Sequence, residues 1–165
     1  MANSRLVIFD GNALVHRAYH AIPPLTLKKT GEMVNAAYGF VAMLLKVINE
    51  LKPSCYAIAF DRKAPTFRHQ LFDRYKAQRP AMPEDLASQL GWVRQIVEAF
   101  KMPIFEMDGY EADDLLGTLS HQATEQGIET VIVTGDADAM QLVCPGIKVL
   151  YPKPRKSFGD TMLFE

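Results

Sequence analysis

Seven carboxylates, Asp10, Asp61, Glu111, Asp113, Asp114, Asp136 and Asp138, share one kind of place in the chain. Each stands at or just beyond the end of a short apolar run rich in β-forming residues: residues 5–9, 55–60, 103–107 and 130–134. Read singly, each acid has an ordinary role open to it. Asp10 before Gly-Asn suits a turn, Asp136 or Asp138 suits a helix cap, and Glu111, Asp113 and Asp114 suit the first turn of a helix, where they oppose the macrodipole. Read together, acids after four buried strands imply one shared site.

The elements that would position them follow from pattern. Continuous apolar runs read as strands buried on both faces. Between them lie helical spacings: residues 12–20 after Asn12 as cap, 34–51 ended by Pro53, 83–101 opened by Pro83, and 111–126 ended by Gly127. A short helix through Leu142 and a last strand over 147–151 complete the order. Alternating strands and helices predict an α/β fold with a mainly parallel central sheet of about five strands, flanked by helices on both faces. In such a sheet everything that follows a strand emerges at one edge, where ligands bind.

Carboxylates crowded at that edge raise one another's pKa or are neutralised by cations. All-oxygen donors select Mg²⁺ or Mn²⁺. Two such ions about 3.5–4 Å apart can hold both the attacking and the leaving oxygen of a phosphodiester. Metal-assisted phosphodiester hydrolysis is the chemistry this pattern implies.

A basic segment leaves from the same edge. Residues 62–82 carry Arg62, Lys63, Arg68, Arg74, Lys76 and Arg79 against one acid, Asp73, a local +5 within a chain whose net charge is −1. Phe67, Phe72 and Tyr75 are interleaved with these cations. Such a segment can be a solvated surface helix, or a guide whose cations hold a phosphate backbone while its aromatics stack on bases. Lys76 and Arg79, one helical turn apart, could both face the scissile phosphate and stabilise developing charge. Arg17, on a helix that starts at the active edge, is a further candidate for phosphate contact. His16 and His20 lie one turn apart without a third soft ligand, so packing or surface roles are expected of them.

The 165 residues suit one domain, and 48% hydrophobic with 22% charged content is a soluble globular balance. A net charge of −1 means that any nucleic-acid binding must come from uneven charge. Cys55 and Cys144 are expected to be buried thiols in a reduced, cytoplasmic protein, with no signal peptide and no membrane span.

Phe9-Asp10-Gly11-Asn12, Phe60-Asp61 with Lys63-Ala64-Pro65-Thr66-Phe67-Arg68, Tyr75-Lys76-Ala77-Gln78-Arg79-Pro80, Gly109-Tyr110-Glu111-Ala112-Asp113-Asp114 and Thr134-Gly135-Asp136-Ala137-Asp138 follow one another in a familiar order. In these motifs the chain resembles the N-terminal 5′-nuclease domains of bacterial DNA polymerase I, within the PIN-like (Rossmann-like) flap endonuclease and 5′–3′ exonuclease group. The resemblance implies a first Mg²⁺ or Mn²⁺ around Asp10, Asp61, Glu111 and Asp113, with Asp114 close by, and a second ion begun by Asp136 and Asp138. It implies that Tyr75, Lys76 and Arg79 belong to a helical arch passed by the 5′ strand. Lys76 and Arg79 would act in catalysis, and Arg17 and Arg68 would join Tyr75 in holding nucleic acid. The implied substrates are a DNA 5′ flap, nick or 5′ end, and RNA primers, in replication and repair. The family's second Asp pair, its helical duplex-binding region and the polymerase region are expected to lie beyond this chain. Two other readings stand beside it: a module that binds a nucleic-acid 5′ end with catalysis impaired by the missing second-metal ligands, and a PIN-type ribonuclease acting on single-stranded RNA, a group that shares the acidic cluster but typically lacks so long a basic arch.

Overall fold

The apolar runs become the strands of one sheet. The computed structural model describes residues 4–152 and 161–165. Its strands are β1 (Arg5–Asp10), β2 (Cys55–Ala59), β3 (Ile104–Phe105), β4 (Glu129–Val133), β5 (Ile147–Pro152) and β6 (Thr161–Phe164), in the order β3-β2-β1-β4-β5-β6. Every pairing among β1 to β5 is parallel, and β6 runs antiparallel to β5. Among the described residues the sheet has six strands, one more than the five or so expected. The sixth is the apolar stretch 162–164, too short to show a period. Its strand character comes from pairing, Val149 with Phe164 and Tyr151 with Met162.

The helices are α1 (Gly11–Ala21), α2 (Asn35–Leu51), α3 (Phe67–Leu71), α4 (Glu84–Ala99) and α5 (Ala112–Glu125), with a 3₁₀ turn at Ala137–Leu142. They cover both faces, and β1 shows how. Val7 and Phe9 pack into a layer with Leu14, Phe40, Leu44, Val93 and Val97 of α1, α2 and α4. Ile8, one residue out of phase, packs with Ala112 and Leu116 of α5 and with Ile132 and Ile147. Successive strand side chains point to opposite faces, so a run buried on both must be apolar throughout. Each such side chain removed from water contributes about 1.5–3 kcal/mol.

One buried polar group fixes the first layer. Val34, the N-cap of α2, supplies no side-chain cap. Gln89 of α4 supplies one from outside the helix: its Oε1 accepts from the amides of Ala36 at 2.7 Å and Ala37 at 3.2 Å. Its Nε2 donates to Asn35, which in turn donates to the carbonyls of Tyr19 and Ile22 at the end of α1. Three helices thus meet on two amide side chains.

Local details differ from the sequence expectation in four places. Asp10, not Asn12, caps α1: its Oδ1 accepts from the Ala13 amide, while Asn12 accepts from the Asp61 amide. The helix expected over 83–101 ends at Ala99, and Phe100, just beyond it, is exposed. Cys55 is an exposed free thiol rather than a buried one, because it is the first residue of β2, outside the covered part of the sheet. The basic segment is not one helix. Only Phe67–Leu71 is helical, and residues 73–78 run as turns, with Lys76 left-handed at φ 56°. Among the described residues no helix is long and apolar enough to cross a membrane.

Candidate active site

Strand order reverses at β1, since β2 lies on one side of it and β4 on the other. The carboxyl ends of these three strands open into a cleft of about 900 Å³. Asp10, Asp61, Glu111, Asp113, Asp136 and Asp138 line it. Facing them are Arg17, Tyr75, Lys76 and Arg79, together with His16 and His20.

Two glycines allow these walls to approach. A Cβ on Gly11 would lie 2.2 Å from the Phe60 ring, and one on Gly135 would lie 3.1 Å from the Ala13 carbonyl oxygen and from Arg17 Cδ. The exits of β1 and β4 could not pack so closely with larger residues.

Five of the seven carboxylates, Asp10, Asp61, Glu111, Asp114 and Asp136, are held by local partners. Phe9 pairs with Val133, so the next residues, Asp10 and Thr134, come side by side. Thr134 is fully buried, donates its hydroxyl to Asp10 Oδ2 at 2.7 Å and accepts the Asp136 amide at 3.0 Å. Asp136 accepts the Asp138 amide, and Asp61 accepts the Ala112 amide at the start of α5. Glu111 takes Lys76 Nζ at 2.8 Å on one oxygen and the Tyr75 hydroxyl at 3.1 Å on the other. Asp114 is turned away from the cleft. It accepts two 2.7 Å bonds from the Arg68 guanidinium and a third from the Glu111 amide.

The electrostatics follow this geometry. Burial pushes the Asp10 carboxyl up to about 7; Thr134 and the Ala13 amide oppose the shift, while Asp113 and Asp61 add to it. Burial also lifts Asp113 to about 6, aided by Asp136, Asp61 and Glu111. Arg68 holds Asp114 below the usual carboxylate range. Burial pulls Lys76 down, but its bond to Glu111 outweighs that and leaves it raised. His16 is lowered by burial and by the nearby charges of His20 and Arg79.

A cleft that disfavours ionised carboxylates, and yet is lined by six of them, suits a hard divalent cation that would relieve the repulsion. Among the described residues no three Asp, Glu, His or Cys side chains already converge on one ion. Asp10, Asp61, Glu111 and Asp136 are engaged by an amide, hydroxyl or ammonium, so an ion would have to draw them in.

Ten of the twelve residues singled out from sequence line the cleft. Asp10, Asp61, Glu111, Asp113, Asp136, Asp138, Tyr75, Lys76 and Arg79 line the cleft. Arg17 lines it too, donates to the Pro152 carbonyl at 2.9 Å and lies 5.3 Å from the Tyr151 ring centre. Asp114 and Arg68 depart from the expected arrangement: they satisfy each other outside the cleft because the α5 N-terminus turns Asp114 back onto its own capping box. Thr134 was missed as a site residue. The available signal was a hydroxyl residue directly before Gly-Asp at a buried strand end.

Residues 5–165 match the family model described as "5′-3′ exonuclease, N-terminal resolvase-like domain". DNA polymerase I of Caldicellulosiruptor bescii is 43% identical over 163 residues, covering 98% of this chain and 19% of that protein. The chain therefore spans about a fifth of the length of such a relative. A bacteriophage T5 protein co-crystallised with metal ions superposes with a TM-score of 0.70 at 18% identity, over 93% of this chain and 57% of that one. The bacteriophage T5 flap endonuclease, in a pseudo-enzyme–product complex with DNA and metal ions, gives 0.67 at 19% identity, over 93% and 57%. At these identities the structural likeness speaks to the fold, which is that of the PIN-like 5′ nucleases.

Proposed function

Given that the chain belongs to the 5′–3′ exonuclease family as its N-terminal, resolvase-like domain, we propose that it is a divalent-metal-dependent nuclease acting at a 5′ flap, nick or 5′ end of DNA. RNA primers are proposed as further substrates, and replication and repair as the setting. Residues 1–165 are read as one nuclease domain, with 62–82 as its strand guide.

The observation that carries this reading is the cleft at the ends of β1, β2 and β4, lined by six carboxylates together with Arg17, Lys76 and Arg79. Asp10, Asp61, Glu111 and Asp113 would hold a first Mg²⁺ or Mn²⁺, and Asp136 and Asp138 would contribute to a second. The ions would supply an activated water and a Lewis acid at the scissile phosphate. The chain's own cations do the rest. Lys76 and Arg79, which line the cleft with the carboxylates, would stabilise the charge that develops on the phosphodiester. Arg17 fixes the backbone, and Tyr75 offers a ring for stacking. Asp114 and Arg68 are proposed to support the site from behind rather than to touch substrate.

The test is cleavage of a 5′-labelled flap DNA in Mg²⁺ and in Mn²⁺, with Asp113→Asn as control. The expected result is metal-dependent cleavage that the substitution lowers at least about a hundredfold. Cleavage that persists in EDTA, or that Asp113→Asn leaves unchanged, would overturn the assignment.

A further inference from the structure

Both oxygens of Glu111 are occupied by the basic segment, one by Lys76 and the other by Tyr75. Glu111 is mostly buried, with 12% of its side chain exposed, so it has little room for another cation while these contacts last. We propose that Lys76 is a stand-in cation for Glu111, and that a divalent ion entering the cleft displaces it and unlatches the basic segment. The inference rests on reading the cleft as a divalent-metal site.

Three features support an unlatching rather than a simple ion pair. First, Lys76 holds a left-handed backbone, φ 56°, which costs a non-glycine residue of the order of 1 kcal/mol. Release from Glu111 would let that backbone relax. Second, the stretch around Lys76 is thinly held. Its backbone bonds are those of consecutive turns: Tyr75 to Phe72, Ala77 to Arg74 and Arg79 to Lys76. Third, the root of the segment is fastened differently. Arg68 makes two 2.7 Å bonds to Asp114 outside the cleft, against a longer 3.8 Å contact with Glu111 Oε2, and the Phe67 amide donates to the Gly109 carbonyl at 3.0 Å. An ion in the cleft does not compete for Asp114, so the root stays while the tip moves. A doubly charged ion also gains more from a buried carboxylate than one ammonium does.

The consequence is an ordering of events. Without metal, the ammonium neutralises the carboxylate wall and the segment lies across the cleft. Once metal holds Glu111, Lys76 and Tyr75 are free to turn toward a phosphate and a base.

The experiment uses Mn²⁺ alone as probe, at about 0.15 M salt so that distant charges are screened. Mn²⁺ affinity is measured by calorimetry for the unmodified chain, for Lys76→Met and for Arg79→Met. Amide hydrogen exchange of the unmodified chain is followed with and without the ion. Lys76→Met should bind Mn²⁺ about fivefold more tightly, since a hydrogen-bonded competitor has gone. Arg79→Met removes the same charge from the same cleft but not the Glu111 contact, and should shift affinity less than about twofold. Saturating Mn²⁺ should speed exchange of the Tyr75, Ala77 and Arg79 amides about tenfold while leaving Phe67 unchanged. If Mn²⁺ binds but exchange stays as it was, or if both variants shift affinity equally, the latch is wrong and the metal reading stands. If Mn²⁺ binds none of the three proteins, both are overturned.

Discussion

Replacing Asp10 by Asn removes a charge from the bottom of the cleft while keeping its shape. An Asn there can still accept the Ala13 amide and can donate to the Thr134 hydroxyl, the two partners Asp10 has now. Burial raises the Asp10 carboxyl from an ordinary 3.8 to about 7. The folded pKa lies above the unfolded one, so protonation favours the fold. That stability is fully present below pH 3.8 and is lost as pH rises through about 7. At about 1.4 kcal/mol per pKa unit, the ceiling on the loss is about 4 kcal/mol at pH 8 and about 1.7 kcal/mol at pH 5. Coupling to Asp113 and relaxation of the cleft lower both, to about half. Urea denaturation in EDTA should therefore find Asp10→Asn more stable than the unmodified chain by about 2 kcal/mol at pH 8 and by under about 1 kcal/mol at pH 5. Adding Mn²⁺ at pH 8 should erase or reverse the advantage, because only the carboxylate gains binding energy. A variant less stable at pH 8, or equally stabilised at both pH values, would refute the argument that Asp10 is a buried charge awaiting a cation.

Two further outcomes follow from the buried polar contacts. Thr134→Val removes the hydroxyl that joins Asp10 to the Asp136 amide; Mn²⁺ affinity measured by calorimetry should fall at least about tenfold, with Thr134→Ser restoring most of it. Gln89→Leu leaves the Ala36 and Ala37 amides without a cap inside the core. Urea denaturation should show a loss of about 3 kcal/mol, and a loss under about 1 kcal/mol would mean that water replaces the side chain.

Much of the acidic wall could be read from the chain because its logic is local. The run Leu6 to Phe9 had to be a doubly buried strand, and whatever followed it had to emerge at the sheet edge. The same holds for Asp61 after β2 and Asp136 after β4. What could not be read depends on contacts across long separations. Gln89 looks like a surface position on an amphipathic helix, yet it is fully buried because α2 lacks a cap of its own. Lys76 meets Glu111 across 35 positions, and Arg68 meets Asp114 across 46. No periodicity connects such pairs. Charge counting could see the cations and the acids but not that two of each neutralise one another. The basic segment is helical only over α3; Tyr75 and Lys76 reach Glu111 from the turns that follow, with Lys76 left-handed.

The two layers that sandwich the sheet are unequal, and this bears on how the molecule loses activity. Three helices seat on one face and share the Gln89 junction, whereas α5 and a 3₁₀ turn cover the other with fewer and smaller buried side chains. Cooperative units with less apolar burial open first. On heating, α5 should detach while the opposite layer still holds, taking Glu111 and Asp113 away from strands that keep Asp10 and Asp61 in place. Inactivation would then precede the global melt, as a reversible, sub-global opening of half the acidic wall.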